Sequence, residues 1–158
     1  VNSRSRKDGT DWIPESKPSI GESIPIIKMC ATEKSKKVFG VSWRFELKDE
    51  QQDDHHGNIA STMGKVEKDR LLVNSLGEGA IWISNYNGNL ENGDYITTSV
   101  IPGIGMKQDD DLLHNYTVAK ITQDCNFNTS SSTYDCETFT HNGTTYKKAF
   151  VGCTYHCG

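Results

Sequence analysis

The sequence predicts a mostly β chain: a compact β-sandwich or β-clip-like module with a C-terminal β-hairpin and few or no helices. Three observations predict it. Short runs rich in β-branched and aromatic residues recur, each bounded by Gly, Asn, Asp or Pro. No stretch carries a sustained helical apolar period. Asn87-Gly88, Asn92-Gly93 and Asn142-Gly143 each supply two neighbouring residues comfortable at positive φ, as tight turns between strands require.

The elements follow in chain order. Residues 1–20 read as an N-terminal arm, basic at Arg4, Arg6 and Lys7 and barred from a helix by Pro14 and Pro18. Residues 21–124 read as the β module. Its strands are expected at Ile24–Lys28, Lys37–Trp43, Leu71–Asn74, Ala80–Ser84, Tyr95–Val100 and Tyr116–Ile121. A polar insertion near 48–68, including Asp53-Asp54-His55-His56-Gly57, interrupts it and offers no apolar stripe to bury. Residues 125–158 read as a cysteine-rich hairpin tail. Its arms are expected at Tyr134–Thr140 and Thr144–Val151 around His141-Asn142-Gly143, after a Ser/Thr-rich connector from Asn126 to Thr133.

Composition narrows the functions. At 158 residues the chain has the size of one domain and can bury roughly two-thirds of its unfolded surface. It is 34% hydrophobic and remains lean when its 14 glycines are added. A lean core predicts help from oligomerisation, disulfides or metal. The net charge of −4 argues against a nucleic-acid or anionic-membrane partner held by bulk charge. No apolar run approaches the length of a membrane span and no signal peptide opens the chain, so no membrane insertion is expected. The start at Val1 is expected to be a mature or trimmed end of something longer.

Four of the five cysteines, Cys125, Cys136, Cys153 and Cys157, fall in the tail, and Cys30 stands apart. Two disulfides with a free Cys30, a zinc site completed by His156 or His141, and buried free thiols are all open readings. The Cys153–Cys157 spacing is not that of a zinc knuckle. His55 and His56 are weak metal candidates. Neighbours in an extended segment point to opposite faces, so a histidine site there needs one ring from each of three chains on a symmetry axis. Asp109-Asp110-Asp111 reads as a solvated acidic loop, since no calcium-loop spacing follows. Asn115, Asn128 and Asn142 each open an N-x-[ST] sequon, weak evidence for secretion.

Catalytic signatures such as Gly-x-Ser-x-Gly, His-Glu-x-x-His and phosphate-binding glycine loops are absent from the sequence. Gly103-Ile104-Gly105 after Pro102 reads as a turn. Asp11 and Glu15 flank Trp12, and an acid beside an aromatic ring can have a raised pKa suited to proton transfer. With Ser3 or Ser5 upstream, they form a candidate for cleavage near the chain's own start. The alternative is an arm that tucks Trp12 into the body while both acids cap turns.

Several blocks resemble one family. Gly9 to Glu15 is similar to a Gly-x-Asp-aromatic-x-x-Glu opening, with Pro14 standing inside it. Ile20 to Ile26 and Lys37 to Ser42 resemble that family's next two steps. The strongest likeness runs from Leu76-Gly77-Glu78-Gly79-Ala80 through Gly93-Asp94, Ser99, Pro102-Gly103 and Met106-Lys107 to Tyr116–Ile121. That order resembles the β module of C-terminal domains on viral and phage fibre or tail-appendage proteins. Among these are the autocleaving intramolecular chaperones with glutamic-peptidase-like chemistry. The resemblance spans about residues 9–121 in pieces; the insertion around His55 and the tail from Cys125 lie outside its pattern.

The resemblance implies a trimerisation, intramolecular-chaperone and end-cap domain of a viral fibre or tail spike, a structural protein on the virion surface or outside the cell. It implies a homotrimer, a parent fibre chain upstream and autoproteolysis near residue 1 involving Asp11, Glu15 and, as nucleophile or product end, Ser3. The enzyme would be at most a self-cleaving peptidase acting on its own precursor. No cofactor is expected. The alternative is a receptor- or glycan-binding fibre-tip module, using aromatic and Asn side chains of the loops around Tyr86 and Tyr95.

Overall fold

The computed structural model describes residues 27–45, 59–62 and 71–157. Ten strands are assigned there: β1 (Ile27–Met29), β2 (Val38–Phe45), β3 (Ile59–Thr62), β4 (Leu71–Asn74), β5 (Leu76–Ser84), β6 (Tyr95–Thr98), β7 (Gly105–Lys107), β8 (Thr117–Ile121), β9 (Cys136–His141) and β10 (Thr144–His156). A 3-10 turn, Asn85–Asn87, follows β5. The mostly β reading and the C-terminal hairpin, β9–β10, are both present.

β1 to β4 form an antiparallel sheet in the order β1-β3-β2-β4. β5 to β10 form the second sheet, in the order β5-β7-β6-β8-β10-β9, with β5 also paired to β10. That extra pairing turns the row β5-β7-β6-β8-β10 into a ring. Its seams are antiparallel except β5–β7, and β9 hangs outside on β10. Closure removes the free edges that a short open sheet would present to other chains.

The length of β10 makes the closure possible. Its first half pairs with β9 (Thr144↔His141 to Ala149↔Cys136), and its second half pairs with β8 (Cys153↔Ile121 to Tyr155↔Ala119). Along its other side it pairs with β5 from Lys148↔Ser84 to His156↔Leu76. The tail therefore supplies a wall of the module. Alternate residues fill the interior: Ile81 and Ile83 from β5, Ile96 from β6, and Ala149, Val151, Cys153 and Tyr155 from β10 are all buried. Cys30, just past β1, and Val41 of β2 belong to the same buried cluster. The backbone N–H of Gly103 donates to Cys30 O (2.8 Å), and the Thr98 hydroxyl donates to Thr32 O (2.7 Å) and accepts from Ser35 N (2.8 Å).

Two strands have no counterpart in the sequence reading, while β5 starts earlier (Leu76) and β10 runs further (to His156) than expected. β3 lies inside the polar insertion, whose residues 59–62 pair with both β1 and β2. β7, Gly-Met-Lys, comes directly after the Pro102-Gly103 turn and carries no β-branched residue. Both are too short to show a two-residue alternation, so pairing partners rather than local pattern define them.

Candidate functional site: a stitched turn region and an aromatic outer face

Asp11, Glu15, Ser3, His55 and His56 lie outside the described residues. What the structure does place is the block from Gly77 to Ile121, and there each motif residue has a structural task. Gly93, at φ 102°, sits in the turn that Asp94 closes, with Asp94 N donating to Glu91 O (3.0 Å) and Asp94 Oδ2 accepting from Glu91 N (2.7 Å). The same carboxylate meets Lys107 Nζ at 2.8 Å, tying the start of β6 to the end of β7. The buried Ser99 hydroxyl accepts from Ile101 N (3.1 Å) and donates to Ile104 O (2.6 Å), across a turn with Gly103 at φ 75°. Pro at the second and Gly at the third position is the chemistry of such a turn. Met106, in the strand that follows, is buried.

Gly79 has a different reason. The Tyr155 hydroxyl crosses directly over it, donating to Ala80 O (2.8 Å) and accepting from Ala80 N (3.1 Å). A Cβ at residue 79 would come within 2.2 Å of that oxygen. The Tyr155 pKa is raised, chiefly by burial and then by Cys153.

The acidic loop is built rather than merely solvated. Buried Gln108 donates through Nε2 to Asp110 O (3.0 Å), Asp110 Oδ1 (2.9 Å) and Leu112 O (2.7 Å), and accepts from the Thr117 hydroxyl at 2.7 Å. His114 Nε2 faces Asp110 at 3.0 Å, and its ring stacks on Tyr116 at 4.6 Å. Lys34 pairs with Asp109, which also accepts from Asn87 Nδ2 at 2.7 Å. The buried Thr117 hydroxyl donates to Gln108 and accepts from His114 N (2.9 Å), and the Asp110–His114 pair orders the loop.

The outer face of β5, β10 and β9 is aromatic. Trp82 on β5, Tyr146 and Phe150 on β10, Phe139 on β9 and Tyr86 of the 3-10 turn form two ring groups, Trp82–Phe150 and Tyr86–Tyr146–Phe139, bridged by Lys148 over Trp82 and Phe139. Ring centroids lie 5.3 Å apart for Trp82–Phe150, 5.7 Å for Tyr86–Tyr146 and 5.9 Å for Phe139–Tyr146. Lys148 sits over the Trp82 ring at 4.4 Å and reaches Glu137 at 3.4 Å. All five rings are half-buried. Sequence reasoning singled out Tyr86 but not Phe139, Tyr146, Lys148 or Phe150. The signal was the alternation within Thr144–His156, where apolar residues occupy both parities and Tyr146 and Phe150 share the one opposite Ala149 and Val151.

Tyr86 donates its hydroxyl to Glu33 (2.7 Å), and Tyr95 packs edge-on against His156 (6.0 Å). The cysteines are all thiols in this structure. Cys125, Cys30 and Cys153 are buried, while Cys136 and Cys157 are half-buried. Burial pushes the thiol pKa up to about 12 at Cys125, Cys153 and Cys157. Among the described residues, no group of three or more His, Cys, Asp or Glu side chains is arranged to hold a metal ion. No helix of the described residues is long and apolar enough to cross a membrane.

No family model, curated protein or solved structure matches the chain.

Proposed function

We propose that this chain is a trimerisation, intramolecular-chaperone and end-cap domain of a viral fibre or tail-like protein, with the aromatic outer face as the surface on which its copies meet. The observation that carries the reading is the strip of Trp82, Phe150, Tyr146, Phe139 and Tyr86, half-buried on the outside of a ring whose interior is already filled. Aromatic rings give the most contact area per immobilised torsion, and completing their burial across a symmetric contact supplies what a lean single-chain core lacks. Exposed Leu76, at 68%, adds apolar surface at the start of the same β5 strand. A seed that brings three chains together speeds a step that is slow in long non-local β architectures.

The test is the solution mass of the whole chain by light scattering across micromolar concentrations. A mass near three chains is expected, falling to one chain in Trp82→Ser. A single-chain mass at every concentration sinks the reading. Self-cleavage near residue 1 is a separate part of it. A chain extended upstream is expected to split, and Asp11→Ala or Glu15→Ala to stop the splitting; an extended chain that stays intact for days removes that part alone.

The exposed side chains of Asn115, Asn128 and Asn142, all in turns or connecting segments, fit a location on a virion surface or outside the cell. A second reading draws on the same face: Trp82 beside Lys148 is the pairing of flat ring and donor on which sugars stack. A glycan array with no hits on the wild-type chain argues against it.

A further inference from the structure

Cys125 and Cys136 stand at the two ends of one loop, and the Cys125 thiol neighbours both the Tyr134 hydroxyl and the Cys136 thiol. Cys136 Sγ also lies 3.7 Å from the carbonyl of Asn126, the residue next to Cys125, and 3.6 Å from that of Thr129.

The intervening loop is folded so that its ends meet. Ser130 Oγ accepts from Cys136 N (2.9 Å), Ser131 N donates to Tyr134 O (3.0 Å), and Asn126 N donates to the Tyr134 hydroxyl (3.0 Å). Cys125 is fixed at the other end by a reciprocal backbone pair with Leu90, 2.9 and 3.0 Å. Cys136 is fixed by its register with Ala149 on β10.

A link between Cys153 and Cys157 fails on reach. Cys153 lies in β10 and Cys157 just past its end, and Cys157 N continues the ladder by donating to Ser75 O (2.9 Å). Four residues of extended chain separate their Cα atoms by about 13 Å, about twice the span a disulfide bridges.

We propose that Cys125 and Cys136 are a disulfide-forming pair that closes the loop between them, taking as oxidant a small-molecule or protein disulfide. Half-buried Cys136 is the entry sulfur: its thiolate attacks one sulfur of the oxidant, forming a mixed disulfide and expelling one thiolate. The Cys125 thiolate then attacks the Cys136 sulfur, the mixed bond breaks, and a second thiolate leaves. The protein loses two hydrogens, and the oxidant is reduced to two thiols that take up both protons. Because Cys125 is buried and its thiol is pushed up to about 12, the second step quickens as pH rises. The cross-link fixes the Ser/Thr-rich connector, with its sequon at Asn128, against the closed ring without moving β10.

The experiment uses the whole chain in a glutathione buffer, first reducing and then oxidising, followed by intact mass and peptide mapping. Proteolytic cleavage after Tyr134 separates Cys125 from Cys136, so the two peptides stay together only when cross-linked. In the oxidising buffer the chain is expected to lose the mass of two hydrogens and to yield that linked pair. Its thermal midpoint should rise by about 5–10 °C and fall back on reduction. Cys136→Ser, a half-buried site, should abolish the link, while Cys157→Ser should leave it in place. Full alkylation of both thiols in the oxidising buffer overturns the proposal. So does a first link that joins Cys157 to Cys30 or to Cys153. Neither outcome depends on the oligomeric state, so the proposed assembly is tested separately.

Discussion

The two faces of β10 carry different kinds of information. One parity, Ala149, Val151, Cys153 and Tyr155, is buried inside the ring, mostly small and aliphatic, and positions the strand against β5 and β8. The other parity, Tyr146, Lys148 and Phe150, is half-buried and joins rings contributed by β5, β9 and the 3-10 turn. The inner face fills the ring, and the outer face is where the proposed assembly would draw its contact. Substitutions one residue apart should therefore move different observables.

The largest effect is expected inside. Ile83→Ala removes a fully buried side chain from the ring and should cost about 3 kcal/mol in urea unfolding, with oligomer mass unchanged wherever the chain remains folded. A loss under about 1 kcal/mol would mean that the ring interior is not the main core. Ser99→Ala comes next. It leaves the Ile101 N–H and the Ile104 carbonyl without their buried partner and should cost about 1–2 kcal/mol by the same measurement. Ser99→Thr, which keeps the hydroxyl, is expected to recover part of that loss. Trp82→Ser, next to the buried Ile83, should cost only about 1 kcal/mol of single-chain stability through its lost ring and cation contacts. Its main effect should be on the mass in solution. If Trp82→Ser unfolds the chain as severely as Ile83→Ala, the two faces are not separable and the comparison fails.

Much of this architecture was legible in the sequence because turns are chemically specific. Asn142-Gly143 announced the β9–β10 hairpin, and Pro102-Gly103 announced the turn before β7; Asn142 and both glycines adopt positive φ. The ring was not legible. Closure depends on β5 and β10 pairing across a long separation in sequence, and no local pattern encodes which edge strand meets which. The Leu76-Gly77-Glu78-Gly79 run was readable as a motif, yet its reason, the Tyr155 hydroxyl lying over Gly79, is a contact with the far end of the chain. The outer aromatic strip stayed hidden for a related reason: its members come from separate elements, and only the β10 register aligns them. Gln108 gave no signal at all, because a buried glutamine is recognisable only once all its partners are in place.

The smallest expected effect concerns the loop that Gln108 organises, and it sharpens the comparison by adding a region that should respond to acid while both faces of β10 stay intact. Lys34, then Asn87, hold the Asp109 carboxyl below its ordinary range. The Leu112 backbone N–H, followed by His114 and Gln108, does the same for Asp110. Both folded values lie below the unfolded reference of about 3.9, so the folded chain binds fewer protons there than the unfolded chain. Their stabilising contribution is therefore complete above that reference and is lost as pH falls through the folded values. Both groups are solvent-facing, so screening keeps the effect on global stability small. Locally, the amide protection factors at Leu112 and His114 should fall as pH drops below about 4 while that of Val151 holds. Asp110→Asn should flatten the acid response at Leu112, since the neutral amide still accepts from its N–H but no longer titrates. If Leu112 and Val151 lose protection together, the loop and the ring open as one unit, and Gln108 belongs to the core rather than to a loop resting on it.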